Sequence, residues 1–172
     1  MTLQKAIELI KPGIIVGQKA VWADLGSGDG LFTRALATLL GEGSVIYAVD
    51  TNRNSLQKIA AIKGVDIKTI VANFENDELS FVQLNGLLMA NSLHYVKDKV
   101  SFIKRAESWL MKDASLLLVE YDTDTANRWV PYPMSYATCV EIFSGLGYAV
   151  HKIGTEISLY NRQGIFAAKL HH

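Results

Sequence analysis

The sequence contains a single cysteine, Cys139, among 172 residues. That excludes an intramolecular disulfide framework and any multi-cysteine zinc site, and it makes a reducing compartment, the cytoplasm, the expected one. No metal site is nominated. Long apolar stretches are also missing: no run approaches the ~18 residues that a membrane span needs. The opening MTLQKAIELIK alternates charged and apolar residues where a signal peptide would have an unbroken apolar core. The expectation is a soluble chain. Charge of one sign is lacking as well, because 17 basic and 17 acidic side chains leave a formal net charge of zero, with no three basic residues in a row. A duplex nucleic-acid binder or a polybasic membrane anchor would carry a basic footprint, so neither DNA nor a membrane is an expected partner. Prolines occur only at Pro12, Pro131 and Pro133, and no repeat, low-complexity tract or Pro/Ser linker divides the chain. Residues 1–172 are therefore expected to form one domain, with an N-terminal helix over 1–13. The terminal pair His171-His172 looks like a tag remnant and is left out of site reasoning.

What is present is an apolar chain, 49% hydrophobic and 20% charged, a balance that suits strands buried on both faces. Short apolar runs at Ala20–Leu25, Ser44–Asp50, Val65–Val71, Leu84–Ala90 and Ser115–Glu120 are bounded by Gly, Asn or Asp. Between them the spacing is three and four: Phe32, Ala35, Leu36, Leu39; then Leu56, Ile59, Ala60; then Val100, Ile103, Ala106, Leu110. Strand and helix alternating in this way predict βαβ units with right-handed crossovers and a parallel sheet covered on both faces. A further helix is expected from about Ser135 to Leu146. Two closing strands, about Tyr148–Ser158 and Gly164–Leu170, flank Tyr160-Asn161-Arg162-Gln163 closely enough to predict an antiparallel hairpin.

The sharpest feature is Asp24-Leu25-Gly26-Ser27-Gly28-Asp29-Gly30, at the end of the first strand and the start of the first crossover helix. Alternate glycines let the backbone turn tightly and approach a ligand where a Cβ would collide. A pyrophosphate cofactor would want Gly-x-Gly-x-x-Gly, but here the third glycine comes one position too early. Asp24 and Asp29 bracket the turn and would repel a pyrophosphate, so a cationic ligand fits better. Asp50 closes the second strand 20 residues beyond Gly30, where a carboxylate can accept both hydroxyl hydrogens of a ribose. The same carboxylate would also serve as a cap or turn residue before Asn54-Ser55.

Acid-x-Gly-x-Gly-x-Gly in this setting resembles the cofactor loop of class I S-adenosylmethionine-dependent methyltransferases, and the order of strands and helices and the terminal hairpin extend the resemblance over nearly the whole chain. It implies a Rossmann-like three-layer αβα sandwich with a seven-stranded, mostly parallel sheet of order 3-2-1-4-5-7-6, strand 7 being antiparallel. The implied cofactor is S-adenosyl-L-methionine, held by Asp24, Gly26, Ser27, Gly28 and Gly30, with Asp50 on the ribose. Asn73 and Phe74, after the third strand, are implied at the adenine, although an amide replaces the common Asp there and an Asn in a loop equally serves its own backbone. Asn91-Ser92-Leu93-His94-Tyr95 is similar to the Asn-x-Leu-His-x segment of small-molecule methyltransferases of the ubiquinone and menaquinone biosynthesis type. This places Asn91 by the methionine half of the cofactor. Asn85 departs from that pattern, which commonly has Asp.

His94 is the candidate proton acceptor for an oxygen or activated-carbon nucleophile, its alternative being to hydrogen-bond a backbone and shape the pocket. The long segment from Glu120 to Met134 nominates Tyr121, Trp129 and Tyr132 as a substrate wall, or else as a hydrophobic plug over the sheet end. The Asn/Asp-Pro-Pro-aromatic motif of amino-directed DNA methyltransferases is absent, and Cys139 lacks the preceding proline of a cytosine-C5 nucleophile. The expected activity is methyl transfer to a small molecule. A cofactor-binding but inactive scaffold or activator subunit is the alternative from another class, and an RNA or protein methyltransferase is a third.

Overall fold

The computed structural model describes residues 1–157 and 164–172. The chain runs α1 (Leu3–Ile10), β1 (Val21–Leu25), α2 (Leu31–Leu39), β2 (Ser44–Asp50), α3 (Arg53–Leu56), β3 (Val65–Val71), β4 (Leu84–Ala90), α4 (Lys99–Glu107), β5 (Leu110–Tyr121), α5 (Tyr136–Gly145), β6 (Ala149–Ile157) and β7 (Gly164–His171). Seven strands form one sheet in the order β3-β2-β1-β4-β5-β7-β6. β7 runs antiparallel to both its neighbours, while β1 to β5 pair in parallel. This is the expected order and orientation. The hairpin tip at Tyr160–Gln163 and the strand end at Ser158 lie outside the described residues.

The central strands are apolar on both faces because both are covered. Along β5, Leu116 and Leu118 pack with Phe102, Ile103 and Phe143 on the α4/α5 side. Leu117 and Val119 face the other way, into a cluster with Ala6, Ile10, Phe32 and Leu36 of α1 and α2. α1 carries its apolar residues on one face and starts with the Thr2 hydroxyl accepting the Lys5 N–H.

Three expectations shift, the first being Leu110, which opens β5 and is not on the helix because α4 stops at Glu107. The helix expected around Leu56, Ile59 and Ala60 is a single turn, because β3 exposes Asp66, Lys68 and Thr69 and offers little apolar surface for a longer helix to cover. The connection from β3 to β4 carries no helix, so the strand–helix alternation breaks there, and buried Leu79 and Phe81 close that side of the core instead. Asn85 accepts the Val21 N–H at 2.7 Å, which ties β4 to the start of β1, far from the C-terminal strand ends. Among the described residues, no helix is long and apolar enough to cross a membrane.

Candidate functional site

Parallel strands bring the loops after β1, β2, β3 and β4 to one end of the sheet. Gly26 and Ser27 of the β1 loop donate their N–H groups to Val49 O at 2.8 and 3.0 Å. Gly28 N–H donates to Asp50 Oδ2 at 2.8 Å, so the glycine loop is fastened to the end of β2. Asp50 Oδ1 accepts the Asn52 N–H at 2.8 Å. The turn-forming role considered for this carboxylate is therefore real, and each oxygen keeps a second lone pair for a ligand hydroxyl.

The three glycines divide by what surrounds them. A Cβ on Gly26 would collide with the Ser92 side chain, and one on Gly30 would lie 2.6 Å from Ile59. Both are demanded by packing within the chain. A Cβ on Gly28 would meet nothing within 4 Å, although the residue holds φ +53°. No described atom occupies that face, which leaves room for a close approach.

Unpartnered polar atoms gather at the same end. Among the described residues, Asp24 Oδ1, Ser27 Oγ and Asn91 Oδ1 are three of the four buried side-chain polar atoms without a hydrogen-bond partner. Such atoms are uncommon in native interiors and mark unfinished chemistry. Asp24 is fully buried, with Thr33 Oγ1 donating to its Oδ2 at 2.6 Å. Burial pushes its carboxyl up to about 7; the Thr33 hydrogen bond pulls the other way and the Asp50 charge adds to the rise. A cation nearby would reverse that shift. An open glycine face, three orphaned oxygens and a buried carboxyl suit a ligand with a positive centre, and the Asp50 lone pairs suit one with a ribose. Asp29 is turned outward to Lys58 Nζ at 3.1 Å, and its carboxyl is lowered by a Ser55 hydrogen bond and by Lys58.

Gly26, Asp50, Asn73, Phe74 and Asn91 line one cleft of about 440 Å³. Asn73 Oδ1 accepts the N–H groups of Glu75 and Asn76 at 2.9 and 3.3 Å. The amide oxygen thus serves its own turn, and what Asn73 has left for an adenine is its NH₂ group. Phe74 stacks edge-on against Phe102 with centroids 5.8 Å apart.

The turn after β4 is built around a residue that the sequence did not flag. Glu120, at the end of β5, is 2% exposed. Its Oε1 accepts the N–H groups of Ser92, Leu93 and His94 at 3.0, 2.8 and 3.3 Å. Its Oε2 lies 2.7 Å from His94 Nδ1. A carboxylate ringed by N–H donors acts as an acceptor, which makes Nδ1 the protonated nitrogen of that imidazole. Ser92 Oγ in turn donates to Leu25 O at 2.5 Å, so Glu120 braces the glycine loop through the 92–94 turn. His94 is 3% exposed and borders neither the 440 Å³ cleft nor the larger cavity beside it. The geometry favours positioning over proton transfer.

The Glu120–Met134 segment is laced to its surroundings. Tyr132 N–H donates to His94 O at 3.0 Å. Buried Lys99 donates through Nζ to Tyr132 O at 2.7 Å and Val96 O at 3.0 Å. Desolvation lowers that ammonium's pKa against the pull of Glu120 and Glu75. Of the three expected wall residues, Tyr121 borders the larger cavity, while Trp129 and Tyr132, 74% and 40% exposed, border neither. The plug is Val130 and Met134, 4% and 2% exposed.

The profile of a family described as a methyltransferase domain matches residues 23–118. No match is found among curated proteins. Among solved structures, an S-adenosylmethionine-dependent methyltransferase from Aquifex aeolicus superimposes with a TM-score of 0.69 at 15% identity, covering 99% of this chain and 98% of that one. Magnesium protoporphyrin IX methyltransferase from Synechocystis, with bound S-adenosylmethionine, gives 0.69 at 14% identity over 99% and 78%. The 1,6-didemethyltoxoflavin-N1-methyltransferase of Burkholderia thailandensis, with its acceptor and S-adenosylhomocysteine bound, gives 0.69 at 15% over 99% and 78%. At such identities these likenesses establish the fold.

Proposed function

The chain belongs to the methyltransferase domain family, and we propose that it works as a class I S-adenosylmethionine-dependent enzyme, transferring the methyl group of S-adenosyl-L-methionine to a small-molecule acceptor. The observation that carries this reading is the open face of Gly28 beside three orphaned acceptor oxygens at the end of β1 and β4. Asp50 would accept from the ribose hydroxyls through its free lone pairs, Phe74 would serve the adenine, and Asp24, Ser27 and Asn91 would serve the cationic half. When bound, the cofactor supplies an electrophilic methyl whose carbon–sulfur electron pair stays with sulfur as the acceptor's lone pair takes the carbon, the acceptor's proton passing to solvent. The protein's own work is positional: Glu120 and His94 hold the 91–94 turn, and Ser92 holds the glycine loop, so that donor and acceptor would meet in line. The zero net charge and the small molecules named for the Synechocystis and Burkholderia proteins support a small molecule over a nucleic acid.

S-adenosylhomocysteine at ~100 times its dissociation constant should stabilise the fold by about 2.7 kcal/mol, a rise of roughly 5–10 °C in Tm for a chain of this size. NAD should leave Tm where it is. Asp50→Ala should weaken cofactor binding by roughly 1.5–3 kcal/mol. Equal shifts from both ligands, or an unchanged affinity in folded Asp50→Ala protein, would overturn the assignment.

A further inference from the structure

The two edges of the sheet differ. β6 is interrupted by a register shift between Lys152 and Gly154, an irregularity of the kind that bends an edge and discourages further pairing. β3 has no such break: Val65-Asp66-Ile67-Lys68-Thr69-Ile70-Val71 pairs residue for residue with β2 and contains neither proline nor glycine. Ala72 N–H donates to Asp50 O at 3.1 Å and Gly64 O accepts the Gly43 N–H at 2.7 Å, so the backbone groups of even-numbered residues in β3 face β2 and those of odd-numbered residues face outward. Val65 N–H is spent on Ile62 O at 3.2 Å. Beyond that bond, the β3 backbone is hydrogen-bonded only to β2 among the described residues. Ile67, Thr69 and Val71 thus present unpaired N–H and C=O groups along an open rim, a template for one more strand.

The side chains say which strand. Asp66 and Lys68 stand on one face, 3.7 Å apart and both exposed. A second β3 can lie antiparallel along the rim about a two-fold axis normal to the sheet, which keeps each face on its own side and lets a residue oppose only residues of the same face. Centred on Asp66 or on Lys68, that pairing sets like charge against like, which is destabilising. Centred on Thr69, it gives neither charge an opposite partner. Centred on Ile67, it sets Asp66 of each copy against Lys68 of the other, with Ile67 against Ile67 and Val65 against Thr69 on the other face. The outward groups agree with this register, because Ile67 then forms a hydrogen-bonded pair with its own copy and Thr69 N–H meets the Val65 C=O. Asp66 and Lys68 fall in the non-hydrogen-bonded pairs, whose side chains lie closest.

We infer that β3 is a contact between two copies of this chain, joined antiparallel about Ile67 by strand addition and selected by the two Asp66–Lys68 pairs. The self-complementary order of charges is what commits the rim to a second copy. The contact does not depend on the methyltransferase reading. Because the joined strands run in opposite directions, the two cofactor clefts open at opposite ends of the shared sheet.

A contact made by one short strand is small, so the expected dissociation constant is on the order of 10–100 µM. Sedimentation velocity of the full chain should show a monomer–dimer equilibrium in that range. Asp66→Lys and Lys68→Asp each set like charge against like in both pairs and should weaken self-association about tenfold or more. Both positions are exposed, so each variant should keep the wild-type Tm within about 2 °C. An equimolar mixture of the two variants restores opposite charges in both pairs and should associate within about threefold of the wild type. Amide exchange at Ile67 and Thr69, followed by NMR, should slow as the wild-type concentration rises. A wild-type chain that stays monomeric up to about 1 mM, a dimer indifferent to both variants, a mixture no tighter than the variants alone, or a dimer that leaves these two amides unprotected overturns the inference.

Discussion

Asp24 and Glu120 are both carboxylates at or near the C-terminal end of a central strand, 0% and 2% exposed. Glu120 has three backbone N–H groups and an imidazole around it. Asp24 has one hydroxyl donor and an oxygen with none. At equal depth, one carboxylate is a fastener for the turn after β4 and the other keeps an oxygen that no described group satisfies. The largest effect should come from breaking the fastener. Glu120→Ala leaves four donors unsatisfied in a buried turn and should cost about 3–5 kcal/mol, seen as a Tm lower by roughly 6–20 °C. Glu120→Gln should cost less, since its amide oxygen keeps part of the set. A loss under about 1 kcal/mol in Glu120→Ala would show that the 92–94 turn is held by its backbone alone.

Asp24 should behave in the opposite sense. Its carboxyl titrates near 7 in the fold and at about 3.9 in an unfolded chain. The folded protein thus holds an extra proton between these values, and stability falls as pH rises from about 4 to 7, by at most about 4 kcal/mol. Asp24→Asn should remove that dependence and be the more stable protein at pH 8. It should also be the weaker binder. Ionised Asp24 favours a cation, so the affinity for S-adenosylmethionine should rise with pH below about 7, by up to tenfold per unit, and the Asn variant should show no such rise. Denaturation and calorimetry at matched pH check the two halves. A pH-independent wild-type affinity would disconnect Asp24 from the cofactor.

The same contrast explains what could be read beforehand. Apolar periodicity, glycine spacing and the terminal hairpin lie in local sequence, so the strands and the glycine turn were legible without coordinates, while the strand order came with the family resemblance that those features carry. Glu120 was not, because its four partners lie 26 to 28 residues away and nothing in its own neighbourhood marks it. Asn73 shows the reverse failure: its type and position suit an adenine, but the Asx turn over Glu75 and Asn76 takes its oxygen. The larger cavity escaped for a third reason. Lys5, Phe32, Ile157 and Ile165 come from four elements that only the sheet order brings together.

The smallest effect should come from Trp129, the residue whose type most suggested a function. It is 74% exposed, its ring has the Arg128 guanidinium 5.7 Å from the centroid, and it borders neither cavity. Exposed side chains of this kind change stability by less than about 0.5 kcal/mol when truncated. Trp129→Ala should therefore leave Tm and S-adenosylhomocysteine affinity almost unchanged. Its neighbour Val130, 4% exposed, should lose roughly 1–3 kcal/mol on conversion to Ala, because truncation leaves a hole under the loop. The pair separates the two roles expected of this segment at adjacent positions, Val130 in the plug and Trp129 in the wall. A KM for a turned-over acceptor that rises tenfold in Trp129→Ala, with Tm unmoved, would mean that this loop touches the acceptor during the reaction.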